Sequence, residues 1–266
     1  MHYRLYLSVC APLLLAACTT LPDGHTWAQD ATYRPGWDRV RQSATRAVRD
    51  PWVWVPLVGT AVFQIDDWDR EVSDWAREHT PVFGSQQTAE DWSDGLKTAS
   101  AVAFNVSALA TPSGPDAPEW VMDKARGYLV EGAAIWLTSL STQALKSGTD
   151  RERPNGLAHE SFPSGHTSAS AVYTQLASRN LRAIDLNDGL RRGLDYGLDA
   201  LTLGTSWARI EAGWHFPSDT LFGMALGNFL GAFIHDAFLG LETDSPLQIG
   251  LAVDADHAEL RVQLRF

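Results

Sequence analysis

The sequence predicts an all-α protein, a helical bundle with a small C-terminal β-hairpin, and three observations predict it. Apolar residues recur at three- and four-residue intervals along most of the chain, as on one face of a helix. Two stretches, Thr88-Ala-Glu-Asp91 and Asp116-Ala-Pro-Glu119, carry capping-box residues ahead of such patterns. Only near the C-terminus does the period fall to two. There Leu247, Ile249, Leu251 and Val253 alternate with small or polar residues, and Leu260, Val262, Leu264 and Phe266 do the same after Asp254-Ala-Asp-His257. A lone hairpin is marginal in water, so this one is expected to pack on the bundle or on an envelope partner.

The helices follow in order. Trp37, Val40, Ala44 and Val48 mark the first, at 37–49, beside Arg39, Arg41, Arg46 and Arg49. This basic amphipathic face suits solvent or an anionic lipid surface. An apolar run from Pro51 to Ile65 follows, then an acidic and aromatic one from Asp66 to Glu78 with Trp68 and Trp75 a helical interval apart. The capping boxes open helices at 89–110 and 118–146, separated by the loop Thr111-Pro-Ser-Gly-Pro115. Further patterns cover 167–179, 188–208 and 217–240. The tryptophans at 52, 54, 68, 75, 92, 120 and 136 are expected to pack between helices. No apolar segment runs uninterrupted for the ~20 residues that a bilayer span needs. Glu131 breaks one, and Asn228, His235 and Asp236 break another. The expectation is a soluble bundle held at a membrane from one end.

That end is the N-terminus. Arg4, the apolar run Leu5–Ala17 and the small residues before Cys18 read as a secretory signal, residues 1–17. Leu15-Ala-Ala-Cys18 resembles a bacterial lipobox, which makes Cys18 the lipidated first residue of the mature chain. Thr19 after it, by resemblance to known lipoproteins, points to the outer membrane with the body in the periplasm. Residues 18–31, polar and without period, read as a tether; 32–241 form the helical domain, and 246–266 the hairpin. A net charge of −11 over 266 residues excludes nucleic acid as a partner, because phosphate backbones need a basic face. An anionic ligand must instead meet a local cluster of cations. Cys10 and Cys18, the two cysteines, both fall near the N-terminus, so neither a disulfide nor a cysteine metal site is expected in the body.

Cations do cluster, in three places. Lys146 and Arg153-Pro154 are separated by six residues, Pro163-Ser-Gly-His166 stands before a predicted helix, and Arg209 precedes His215 and Asp219 by six and ten positions. Singly, each fits a helix terminus or a solvated charge. Together, in this order and spacing, they resemble the type 2 phosphatidic acid phosphatase superfamily, which also contains bacterial class A acid phosphatases and vanadium-dependent haloperoxidases. The resemblance covers about residues 118–240 and implies a helical bundle of the acid phosphatase/haloperoxidase type. Where the family usually has Ser before the third-motif Arg, this chain has Ala208, which puts the positioning of Arg209 in question.

The resemblance implies hydrolysis of a phosphate monoester or pyrophosphate, on a lipid or a small molecule, through a phosphohistidine. The residue chemistry reads the same way. Lys146, Arg153 and Arg209 can neutralise the phosphoryl oxygens. Ser164 and Gly165 put free N–H groups of a helix start against an anion. His215 is the candidate nucleophile, oriented by Asp219, and His166 the candidate acid. These roles require His166 protonated and His215 neutral. No metal or other cofactor is called for, and vanadate is expected to inhibit by mimicking phosphate. His79, His159, His235 and His257 form no ligand set, and Glu160 and Glu211 sit near the motifs without an assigned role. A vanadate-dependent haloperoxidase and a non-enzymatic envelope lipoprotein stay open as alternatives.

Overall fold

A computed structural model describes residues 20, 21 and 24–240 and, as backbone, 247–254 and 257–264. The signal segment and Cys18 lie outside the described residues. Among the described residues eight helices make the body: α1 (Trp37–Arg49), α2 (Pro51–Val62), α3 (Trp68–His79), α4 (Gln86–Ala110), α5 (Ala117–Thr149), α6 (Gly165–Ala183), α7 (Asp188–Glu211) and α8 (Pro217–Phe238). The fold class rests on these helices. In the C-terminal backbone, Leu247–Asp254 and His257–Leu264 run antiparallel with Leu251 opposite Leu260.

α4 begins a turn earlier than its sequence signal, because Ser85 rather than Thr88 is the N-cap and accepts from the Thr88 N–H. The Ser85 cap satisfies an amide that the start of any helix leaves without a backbone partner. α5 buries Gly127, Val130, Glu131, Ala134, Thr138, Thr142 and Lys146, a stripe at three- and four-residue spacing built of small and polar side chains. Its end, at Lys146, reaches the functional site.

α8 is the central helix, packed against α1, α2, α3, α5, α6 and α7. It has 22 residues, with an 18-residue stretch of mean hydropathy 1.3, long and apolar enough by composition to cross a membrane, contrary to the sequence expectation. Its interruptions are resolved inside the bundle: Asn228, His235 and Asp236 are buried, Asn228 donating to the Met224 carbonyl and Asp236 accepting from Arg179. α8 approaches α6 through Gly223 and Gly227. A Cβ at Gly223 would stand 2.7 Å from the Ser164 carbonyl oxygen, and one at Gly227 would stand 2.4 Å from that of Ser168. Only glycine permits this backbone approach, which ties the start of α6 to α8.

The apolar core gathers Phe104, Val130, Val172, Leu176, Ile234 and Leu239. Each fully buried aliphatic side chain there contributes about 1.5–3 kcal/mol. Trp27 is part of it, fully buried against Gly127, where a Cβ would lie 2.0 Å from the ring. The Trp27 N–H donates to the Pro112 carbonyl, and Thr26 donates to the buried Asp123. The stretch read as a tether is therefore docked from Thr26 onward, because one large aromatic gains more by filling a core gap than by solvation. Four of the seven tryptophans expected between helices go the other way, while Trp52, Trp54 and Trp120 are half-buried. Trp68, Trp75, Trp92 and Trp136 are exposed, Trp136 at 62%.

One polar group of the core carries a stability prediction. Glu131 is fully buried, 3.8 Å from His235 Nε2 and bonded by Asn180, with Asp236 paired to Arg179 beyond His235. Burial pushes the Glu131 carboxyl up from 4.5 to about 8, against the pull of Asn180 and Lys124. The folded state thus holds a proton that the unfolded state gives up above its own value. Stability from this group is complete at low pH and is lost as pH rises from about 4.5 to about 8. Chemical denaturation across pH 5–8 is expected to give a shallower decline for Glu131→Gln than for the wild type; equal slopes contradict the assignment.

Candidate active site

Three chain reversals build the site. α5 delivers Lys146 in its last turn, and the following loop folds back on itself, Arg153 N–H to the Ala158 carbonyl and Ser161 N–H to that of Arg151. A cis Phe162–Pro163 peptide leads into α6, which Ser164 caps. α7 delivers Arg209 in its last turn. Gly213 then turns the chain at φ 72°, so that Trp214 and His215 lie between α7 and α8. Pro217 opens α8, and Asp219 in its first turn accepts from the Phe216 N–H at 2.8 Å.

These reversals bring Lys146, Arg153, Gly165, His166, Arg209 and His215 to the wall of one cleft of about 630 Å³. Trp214 organises two of the cations, with the guanidinium carbons of Arg153 and Arg209 lying 4.7 and 5.1 Å from its ring centre. Arg209 also donates to Ser93 Oγ on α4 at 3.3 Å. Its placement thus has support despite Ala208, itself fully buried. Lys146 Nζ donates to the Glu160 carbonyl. Burial, with Arg153 and Arg209 nearby, pushes the Lys146 ammonium down to about 8; Glu160 and Asp219 oppose this.

Two expectations change in detail. Ser164 is absent from the cleft wall: its Oγ caps α6 and its N–H donates to the backbone carbonyl of Asp219 at 2.9 Å. The α8 contact takes the N–H that was assigned to an anion, and Gly165 alone of that pair lines the cleft. Asp219 is also not the direct partner of His215. The ring Nδ1 lies 2.6 Å from the Ser161 carbonyl oxygen and 3.8 Å from Asp219 Oδ2. A carbonyl only accepts, so Nδ1 carries the hydrogen and Nε2 the lone pair. Asp219 instead accepts from Ser161 Oγ at 2.5 Å and from Arg151 Nη1 at 2.6 Å. Against burial, which disfavours its charge, the neighbouring His215, Arg151 and Ser161 hold its carboxyl below the usual range.

His166 meets a pair that the sequence reading passed over. Its Nε2 lies 2.7 Å from Asp94 Oδ1 and 3.1 Å from Lys97 Nζ, both on α4. In sequence these look like an ordinary exposed i,i+3 ion pair. Arg151, Ser161 and Trp214 were also missed, each lying within or beside a motif string as an unassigned residue. Glu211 proves structural, its carboxylate accepting from the N–H groups of Val82 and Phe83. His79 stacks on Trp75, His159 is exposed, and no cluster of three metal-ligating side chains occurs among the described residues.

Burial pushes both site histidines down to about 4. For His215, Asp219 opposes the shift while Arg209 and Lys146 reinforce it. For His166, Arg209 and Lys97 reinforce it and Asp94 opposes it. The neutral His215 agrees with the expectation; a neutral His166 at rest does not. An anion bound beside Arg209 would offset that charge and favour the protonated ring. With a neutral nucleophile needed above about 4 and a protonated acid below about 4, kcat/KM is expected to peak on the acid side of neutrality. The kcat profile, which includes the bound anion, should extend to higher pH. A kcat/KM maximum above pH 7 contradicts this pairing.

Three converging cations and two differently held histidines, presented by helix ends, form a cleft on an all-α bundle whose charge and geometry could hold a phosphoryl group. Residues 127–240, which carry all of it except the α4 contributions, match the model of the PAP2 superfamily. A similar solved structure is the crystal structure described as the first transmembrane PAP2-type phosphatidylglycerolphosphate phosphatase from Bacillus subtilis. It is 19% identical with a TM-score of 0.52, and the match covers 74% of this chain and 98% of that one. No curated protein matches the chain.

Proposed function

We propose that this protein is a phosphatase that hydrolyses phosphate monoesters or pyrophosphates of membrane lipids through a phosphohistidine on His215. One observation carries the reading: the Ser161 carbonyl takes the Nδ1 hydrogen of His215, leaving a lone pair on Nε2 of a ring that shares its cleft with Lys146, Arg153 and Arg209. In the first step Nε2 bonds to phosphorus as the ester P–O bond breaks, and His166 gives its proton to the leaving oxygen. Water then attacks phosphorus, His166 takes up a proton from it, and the P–N bond breaks to release phosphate and restore the ring. Lys146, Arg153 and Arg209 neutralise the phosphoryl oxygens throughout. Vanadate is expected to compete for the same cradle.

The lipid preference draws on the cleft beyond the cations. It continues past Thr142 and Ala169 to Ile135, Val172 and Tyr173, interleaved with Thr138, Ser139 and Gln143, a mixed wall with room for part of a hydrocarbon chain. On α5, Trp136 and Leu140 follow the lining residues Ile135 and Ser139 and are exposed. Exposed apolar side chains beside a groove suit a membrane surface. The bacillary neighbour described as acting on a phospholipid phosphate supports the same class. Lipidation of Cys18, an outer-membrane anchor facing the periplasm and an envelope partner for the C-terminal hairpin complete the proposal. Comparing phosphate release from a short soluble ester and a micellar lipid phosphate tests the preference. We expect kcat/KM at least tenfold higher for the lipid; equal or reversed values assign the site to soluble esters.

A further inference from the structure

We infer that Arg151 and Asp69 are positioning residues for the nucleophile: together they extend the His215–Asp219 pair into a chain of alternating charges that crosses from α8 through the α5–α6 loop to α3. The inference rests on the proposed histidine chemistry, and Asp69 lies outside the family-matched segment. Arg151 uses its two terminal nitrogens on two carboxylates, Nη1 on Asp219 Oδ1 at 2.6 Å and Nη2 on Asp69 Oδ2 at 2.7 Å. Nη1 also donates to Ser218 Oγ at 2.8 Å, and the guanidinium lies 4.3 Å from the Phe216 ring centre. Asp69 in turn accepts from the Ser218 N–H at 2.8 Å, from the Ser218 hydroxyl and from Gln64. It is buried, which is rare for an aspartate unless it is paired.

The geometry gives this chain a task. Asp219 stands 3.8 Å from the nucleophile ring, too far for a hydrogen bond, so it acts on His215 by charge and through Ser161. An unshared carboxylate at that distance would favour a protonated ring and remove the lone pair. Arg151 shares the Asp219 charge and fixes one of its oxygens, while the other holds Ser161, whose carbonyl takes the Nδ1 hydrogen. Asp69 holds the Arg151 fork open toward Asp219.

The charged groups facing this chain come from every element around it. Arg209 and Lys146 face His215, and Lys146 also faces Asp219. Asp67, Arg70, Asp74, Glu152 and Arg153 share with Arg151 a second cavity of about 370 Å³ behind the site. Among the described residues Arg151 is the charged side chain that pairs directly with Asp219.

The test is a histidine ¹⁵N NMR titration of the His215 ring in the full chain, run beside kcat/KM on a phosphoester that the wild type hydrolyses. In Arg151→Gln the unshared charge of Asp219 should raise the His215 pKa by about one unit, move the acid limb of kcat/KM up and lower its maximum at least tenfold. Asp69→Asn frees the Arg151 charge for Asp219, so the His215 titration should move the opposite way. Arg151→Lys should recover part of the rate. A loss of packing alone gives no such opposed pair of shifts. His215 titrations unchanged in both variants, or shifted in the same direction, overturn the inference. If Arg151→Gln does not fold, the Asp69→Asn direction decides alone. A wild type that releases no phosphate sinks the proposed function instead, and the ring titrations still answer for Arg151 and Asp69.

Discussion

Replacing His215 by alanine is expected to lower phosphate release by about 10⁴-fold or more, the scale of losing a covalent nucleophile. The ring is buried between α7 and α8, and its Nδ1 hydrogen is taken by the Ser161 carbonyl, so Nε2 holds a lone pair. No neighbour can replace it. In the proposed reaction Lys146 and the arginines hold the phosphoryl oxygens as cations, and the His166 ring is engaged by Asp94 and Lys97. The variant should keep the cation cradle and hence bind vanadate or phosphate with near wild-type affinity. Isothermal titration with vanadate and a phosphate-release assay check both halves together. Loss of turnover together with loss of anion binding would mean that the site had collapsed; full turnover would remove His215 from the chemistry.

The second large effect is at Arg209. Arg209→Ala removes a donor to the transferring group and is expected to lower kcat by about 10²–10³-fold, as for loss of one preorganised donor in a closed site. It has a signature that lost packing does not share. Arg209 is one of the charges that hold the His166 ring down near 4, so removing it should move the descending limb of kcat/KM to higher pH. Arg209→Lys keeps the charge and loses the planar stack on Trp214, so it should leave that limb nearly in place with an intermediate rate. A lower rate with an unmoved limb in Arg209→Ala would mean that Arg209 does not set the protonation of His166.

The order of the helices was legible where a helix buries a stripe at helical spacing, as in α5 and α8, whereas the ends were read less closely, α4 starting a turn before its signal. The motif residues were legible because phosphoryl chemistry needs cations and histidines at helix ends, and Lys146, Arg153, His166, Arg209 and His215 do meet in one cleft. What was not legible comes from other helices. Asp69 on α3 and the Asp94–Lys97 pair on α4 look in sequence like surface charges, and only the packing brings them to Arg151 and His166. Arg151 was hidden between two residues of a recognised spacing. The Ser164 N–H was assigned to an anion from its place at a helix start, whereas it donates to the Asp219 carbonyl on α8. Trp27 was read with its polar neighbours, since a single aromatic in a polar stretch has no period to reveal what it fills.

The most direct measurement is to mix the enzyme with a phosphate-labelled lipid substrate, quench during turnover and locate the label by mass spectrometry. The account predicts labelled phosphate on His215, absent in His215→Ala and accumulating in a variant whose His166 cannot activate water. Label on another residue, or rapid turnover by a wild type that never carries label, would contradict it.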